Sequence, residues 1–423
     1  MCYNRNMAQL HPFTPPALSD DAAKPVRQRI LFYLPGYDPG ANRRYRTLFV
    51  RELRRYAKRF GIRPPEISPA SLSQNSQVQT WSVKAGDDGL ETHTDYDVLL
   101  WDDLVRRDMA RPTILGAGLN AIALINVAAS GTLFRLYRAS WKCGNVILYP
   151  FVMTFLLPAV ALIIVFISHG LLGMGFGLPA EFGVLLGIIG SIAALWKLAP
   201  WLERAFLWQL MNDWIFNWQH ASGRRPDYSD RLEDFAVHIQ SRIASKNFDE
   251  VLFVGHSTGA LTAAELLARL LDRDQHLGHE GPVLSLLTLG SSMPIVAMQP
   301  KARSIRAEIK SLAASRRLVW VDYQAPQDWM NFPGFNPCRD LSLGVPSEHI
   351  SNPIIRSAKF REIVAPETYR QIRAHPFRMH FQFLMANDNQ GTYDIFALTL
   401  GPQCLRDRVL AENSSPLSGR HLV

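Results

Sequence analysis

Between Asn145 and Trp196 the chain carries one carboxylate, Glu181, and neither lysine nor arginine. Inside that stretch, VILYPFVMTFLLPAVALIIVFI at residues 146–167 rises about 1.5 Å per residue as a helix. That is enough to cross the roughly 30 Å hydrocarbon core of a bilayer. Pro150 and Pro158 fall within it, and proline is tolerated in spans. A second apolar run, residues 182–196, reaches full length only if the span starts near residue 176 and takes in Glu181. The expectation is a helical hairpin with spans at 146–167 and 176–196, with a shallow re-entrant pair as the alternative. Arg135, Arg138 and Lys142 precede it, Lys197, Arg204, Arg224 and Arg225 follow it, and the connecting turn has no basic residue. The positive-inside rule then puts both flanks in the cytoplasm of an integral membrane protein, in the cytoplasmic membrane if the source is bacterial.

On either side of this block the pattern is that of a soluble α/β domain. RQRILFYLPGYDPG, residues 27–40, is a short buried-strand pattern stopped by Pro-Gly pairs, and a basic amphipathic helix follows it. QVQTWSVKA at 77–85 and DYDVLLWDD at 95–103 read as two more strands. Beyond the block come an amphipathic helix at 228–246, then strand patterns at 251–254, 283–289, 316–324 and 352–364. This alternation predicts an α/β fold with a mostly parallel sheet interrupted by a membrane insertion. If one sheet takes strands from both sides, residues 30–101 and 250–322 share a side of the bilayer, so the number of spans is even. Residues 113–134, broken by Asn120, Asn126, Ser130 and Thr132, are therefore expected as an amphipathic helix packed on the domain or lying at the surface, and not as a third span. WLERAFLWQLMNDWIFNWQHA at 201–221 carries Trp201, Trp208, Trp214 and Trp218 and reads as a helix at headgroup level.

The expected organisation is a disordered segment 1–27, a first α/β part 28–110, a membrane or lid insertion 111–222, a second α/β part 223–403 and a loose tail 404–423. The N-terminus lacks the apolar core of a secretory signal. Cys2, Cys143, Cys338 and Cys404 have no paired spacing, which argues against a disulfide framework or a zinc site and suits a reducing compartment. The net charge of +8 favours an anionic partner surface, and beside a bilayer segment lipid is preferred to nucleic acid. Phosphate-binding, dinucleotide-binding and zinc-protease motifs are absent, so no cofactor and no metal are expected.

Chemistry is concentrated at EVLFVGHSTGALTAAELL, residues 250–267. Four apolar residues, Val251–Val254, lead into Gly-His-Ser-Thr-Gly, and an alanine-rich helical pattern follows. A serine on a sharp strand-to-helix turn needs small neighbours, and the helix N-terminus supplies unpaired N–H groups for an oxyanion. Ser257 is the expected nucleophile. A serine hydroxyl needs a base, itself oriented by an acid.

VGHSTG between strand and helix resembles the nucleophile elbow of the α/β-hydrolase superfamily, in particular its lipase and serine-esterase branches. The resemblance covers residues 28–105 and 228–400, with the membrane block between them. It implies an ester-cleaving Ser-Asp-His triad in which acid and histidine follow the serine in that order. Asp328, in the loop after the 316–324 strand, is the expected acid, with Asp322 the alternative. His380 is the expected base, with His375 the alternative, and His256 is expected to pack locally. The resemblance also implies the Thr258 N–H as one oxyanion donor and a second from the LPGYDPG loop, for which Tyr37 is the candidate; relatives often carry His-Gly where this chain has Pro35-Gly36. The insertion occupies the position of a lid, which suggests a lipid or long-chain acyl ester as substrate. An acyltransferase on the same fold and a non-catalytic membrane scaffold are the alternative readings.

Overall fold

Ile30–Leu34 are entirely or almost entirely buried because they form the middle of β1 (Gln28–Leu34), a strand with neighbours on both edges. The computed structural model describes residues 24–86, 90–176 and 179–414. The remaining strands are β2 (Glu66–Ile67), β3 (Ser71–Leu72), β4 (Val78–Ala85), β5 (Thr92–Leu99), β6 (Glu250–His256), β7 (Val283–Leu289), β8 (Val319–Gln324) and β9 (Ile354–Ser357). They make one nine-stranded sheet in the order β2-β4-β5-β1-β6-β7-β8-β9, with β3 also on β4. β1 lies between β5 and β6, so the strands from before the apolar block join those from after it in one sheet at the β1–β6 pair, as the even-span argument requires.

The sheet is mixed, where the sequence suggested mostly parallel pairing. From β5 to β9 each neighbouring pair is parallel, but β4 runs antiparallel to β5, and β2 and β3 antiparallel to β4. The 77–85 and 95–103 patterns are joined by a short connection with no crossover helix. A short connection can only return the chain antiparallel.

Helices cover both faces: α1 (Ala41–Phe60) packs on one, with Tyr45, Leu48 and Leu53 inward. Between β5 and β6 come α2 (Asp102–Met109), α3 (Thr113–Ala129), α4 (Thr132–Ala139), α5 (Trp141–Phe176), α6 (Ala180–Arg204), α7 (Leu207–Ala221) and α8 (Pro226–Ala244). α9 (Thr258–Arg273), α10 (Met293–Ala297) and α11 (Arg303–Ala314) follow. α8 and α9 contribute Leu232, Phe235, Leu266 and Leu270 to a core beneath the sheet.

α5 and α6 are each long and apolar enough to cross a membrane, over Trp141–Leu171 and Glu181–Arg204. α5 continues past both limits read from hydropathy, whereas α6 begins at Ala180, four residues after the expected start at 176, because Phe176 still belongs to α5, and it runs on to Arg204. They pair closely through small residues: a Cβ on Gly183 would lie 2.7 Å from His169 Cα, and one on Gly187 2.6 Å from Val165 Cα. Ser191, the next residue in this every-fourth pattern, donates to the Ala161 carbonyl at 3.1 Å. Such small-residue seams let membrane helices approach. Phe155, Leu162, Phe166, Ile189 and Ile192 remain exposed on the outside of the pair, as a lipid-facing surface requires. α3 meets α2 at a bend of 103° and presents Ile114 and Ile125 outward, while Asn120 is turned inward to donate to Thr154 of α5 at 2.9 Å.

Three expectations need correction. Trp201 is exposed, but Trp214 and Trp218 of α7 are buried, so this helix is an internal element and does not lie at headgroup level. The tail is not loose from residue 404, because Leu405–Ser414 is helical with Leu405 and Val409 buried. At the other end Val26 is buried and its N–H donates to the Pro402 carbonyl, so order begins before residue 28. Residues 1–23 and 415–423, where the other terminal expectations fall, lie outside the described ones.

Candidate active site

Ser257 separates β6 from α9 and has φ 60° and ψ −124°, a backbone conformation that costs a non-glycine residue about 1–3 kcal/mol. Its glycine neighbours explain how the turn closes. A Cβ on Gly255 would lie 2.6 Å from Ala260 Cα, and one on Gly259 2.6 Å from the Pro35 carbonyl, so neither position accepts a side chain. Gly36 is close as well, with its missing Cβ 3.1 Å from Ser257 Cβ. This places the Pro35-Gly36-Tyr37 loop against the serine. Ser257 N–H donates to the Leu289 carbonyl at 3.0 Å, which ties the turn to the end of β7.

His380 ends the short helix Pro376–His380 and is 2% exposed. Its Nδ1 lies 2.7 Å from Asp328 Oδ2, in a pair sealed from solvent on both sides. Asp328 belongs to the loop after β8 and is held by two further donors, Met330 N–H to Oδ1 at 2.9 Å and Asn331 Nδ2 to Oδ2 at 2.7 Å. With Nδ1 engaged, His380 Nε2 is buried without a hydrogen-bond partner among the described residues. Gly290, at the end of β7 and next to Leu289, brings the ring in: a Cβ there would be 3.1 Å from His380 Cε1. Ser257 and His380 thus meet at Leu289 and Gly290, where β7 ends, with no hydrogen bond between their side chains.

The alternatives fall elsewhere. Asp322 stays in β8, accepting from Thr288 Oγ1 at 2.6 Å and Gln324 Nε2 at 2.7 Å, and burial pushes its carboxyl up to about 6. His375 is exposed. His256 is buried with its ring centroid 4.5 Å from that of His380 and its Nε2 3.2 Å from the His380 carbonyl. Burial, with the neighbouring His380 second, holds its basicity well below that of a free imidazole. It packs, as the sequence suggested. Thr258 is the first residue of α9, where a backbone N–H has no acceptor within the helix.

The insertion reaches every part of this arrangement. Gln209 of α7 donates to the Tyr37 carbonyl at 2.8 Å, and Phe206, just before α7, stacks on Phe377 of the His380 helix. At the start of α5, Lys142 Nζ donates to the Pro326 carbonyl at 2.7 Å and Trp141 packs edge-on against Trp329, either side of Asp328. Beside Ser257 lies a narrow pocket of about 30 Å³, walled by Val146 and Ile147 of α5 and by Leu210 and Trp214 of α7. Asp213 of α7 also lines it and accepts on Oδ1 from Thr258 Oγ1 at 3.3 Å and Asn217 Nδ2 at 3.0 Å.

Sequence reasoning missed Asn331, Asp213 and Asn217. Asn331 gave no signal. Asp213 and Asn217 did, as a polar pair one helical turn apart among tryptophans, a spacing that puts both on one face. Among the described residues no cluster of three or more potential metal ligands occurs. Compared with protein-family models, with curated proteins and with solved structures, the chain has no match.

Proposed function

We propose that this chain is a membrane-anchored serine hydrolase of the α/β-hydrolase kind, cleaving carboxylic esters of lipids or other long acyl chains, with its catalytic domain on the cytoplasmic face. The observation that carries the reading is the convergence of a strained serine at a strand-to-helix turn with a buried His–Asp pair whose outer nitrogen is unpartnered.

Ser257 Oγ attacks the ester carbonyl while its proton passes to His380 Nε2. Asp328 holds the imidazole in the tautomer that leaves Nε2 able to accept, and stabilises the imidazolium that forms. The Thr258 and Tyr37 N–H groups receive the oxyanion, each donor contributing about 3–4 kcal/mol in comparable acyl transfers. The proton on Nε2 then goes to the departing alkoxide. Water, deprotonated in turn by His380, releases the acid and restores Ser257. A lipid-like substrate is favoured because walls of the serine pocket come from α5, a helix that also has the length and apolarity of a span.

The test is turnover of p-nitrophenyl esters from acetyl to palmitoyl by detergent-purified protein. Hydrolysis that rises with chain length and disappears in Ser257→Ala is the expected outcome. A folded protein inactive on the whole series contradicts the reading.

A further inference from the structure

One wall of the serine pocket is polar, and all of that wall comes from a single helix. Both side-chain hydrogen bonds to Asp213 fall on Oδ1. Burial pushes its carboxyl up to about 7, against the hydrogen bonds from Thr258 and Asn217. Asn217 is 1% exposed and its orientation is set by its amide, which donates to the Asp213 carbonyl at 2.8 Å and to Oδ1. Asn217 Oδ1 is then buried with no partner among the described residues. Trp214, 3% exposed, leaves its indole N–H in the same condition. All three residues line the pocket that Ser257 lines. A buried polar group is costly to leave without a partner, and two of them beside a carboxyl, on residues lining one pocket, mark a place where a ligand supplies the partners.

We propose that Asp213, Asn217 and Trp214 form a hydroxyl-binding subsite, so that the preferred substrate is an ester carrying a free hydroxyl a few bonds from the scissile carbonyl. The inference rests on the esterase reading of Ser257. A hydroxyl donates one hydrogen bond, here to Asn217 Oδ1 or the Asp213 carboxyl, and accepts one from the Trp214 indole N–H. An unsubstituted alkyl ester leaves these groups unpaired and is rejected on that account, because a site built to hydrogen-bond a substrate hydroxyl discriminates strongly against the analogue lacking it. Val146, Ile147, Leu210, Ile295 and Met330 make much of the remaining wall apolar. The hydroxyl belongs either to the alcohol, as in a partial ester of a polyol, or to the acyl chain.

The experiment compares kcat/KM within size-matched pairs. On the alcohol side the pair is 2-hydroxyethyl butyrate and propyl butyrate; on the acyl side it is ethyl 3-hydroxybutyrate and ethyl 3-methylbutyrate. The wild type is expected to favour the hydroxylated member of one pair by about tenfold or more, and the responding pair identifies the source of the hydroxyl. In Asp213→Leu the preference should fall to near unity. Asp213→Asn keeps an oxygen for Thr258 and Asn217 while turning the other acceptor into a donor, and serves if the leucine variant does not fold. The readout is a ratio within each protein, so a general loss of rate does not enter it. No preference in either pair, or a preference that survives both variants, overturns the subsite and leaves the esterase reading standing. Should no ester be turned over, the esterase reading fails, and the subsite is judged by binding to Ser257→Ala. 1-O-hexylglycerol should then raise the unfolding temperature more than hexyl propyl ether does, and equal shifts overturn it.

Discussion

His380 and Asp328 are joined by a 2.7 Å hydrogen bond between side chains fifty-two positions apart, both shut off from solvent. Asp328 also accepts from Met330 N–H and Asn331, so the acid is fixed before it fixes the imidazole. Asp328→Asn should therefore keep the fold and lower kcat by about 10³–10⁴, because the amide favours the wrong tautomer. His380→Ala should lose turnover comparably, whereas His375→Ala, at an exposed position, should not. Steady-state kinetics on a soluble ester decide it, and a large loss in His375→Ala would mean that the base is misassigned.

The strain at Ser257 has a thermodynamic signature. At φ 60° and ψ −124° glycine is at ease and alanine is not, so Ser257→Gly should be more stable than Ser257→Ala by about 1–3 kcal/mol while both are inactive. Denaturant unfolding in detergent measures the difference. Equal stabilities would show that the turn is relaxed.

Asp322 gives a pH dependence whose sign follows from its burial. Its carboxyl lies at about 6 in the folded chain, above the usual value near 3.9, so between those limits the folded state holds a proton that the unfolded state has released. Stability from this group is therefore present below about pH 4 and lost as pH rises to about 6. In Asp322→Asn, which cannot ionise, the stability difference from wild type should shift in the variant's favour by about 3 kcal/mol between pH 3.5 and 7.5. The amide can accept from Gln324 and donate to Thr288, whose own proton can turn to the Val321 carbonyl 3.4 Å away. A pH-independent difference would contradict this account of Asp322.

What was legible in the sequence was what short-range rules govern. Val251–Val254, the two glycines about Ser257 and the alanines after it determine strand, turn and helix within one segment, and the apolar runs that became α5 and α6 declared themselves by composition. The joining of strands from both sides of the insertion in one sheet followed from the need to complete that sheet. Pairing direction at β4 was not legible, since alternation says where a strand is and not which way its neighbour runs. The tryptophans of α7 misled, because a ring suited to an interface is equally suited to a core, and only tertiary contacts place Trp214 against Phe151 of α5. Asp213 and Asn331 became visible once three distant segments met.

Topology is the remaining structural claim. In a background without its own cysteines, a cysteine at Gly173, near the turn between α5 and α6, should react with an impermeant thiol reagent from the non-cytoplasmic side. One at Ala139, before α5, should react only after permeabilisation. Labelling of both from the cytoplasmic side alone would replace the two spans with a re-entrant pair.

The central claim is that Ser257 is the nucleophile, and covalent labelling tests it most directly. The purified protein is treated with a fluorophosphonate, and the modified residue is identified by peptide mass spectrometry. The account predicts one adduct, on Ser257, absent from Ser257→Ala and strongly diminished in His380→Ala. A folded wild type that takes no label, or a Ser257→Ala protein that labels as well as wild type, would contradict it.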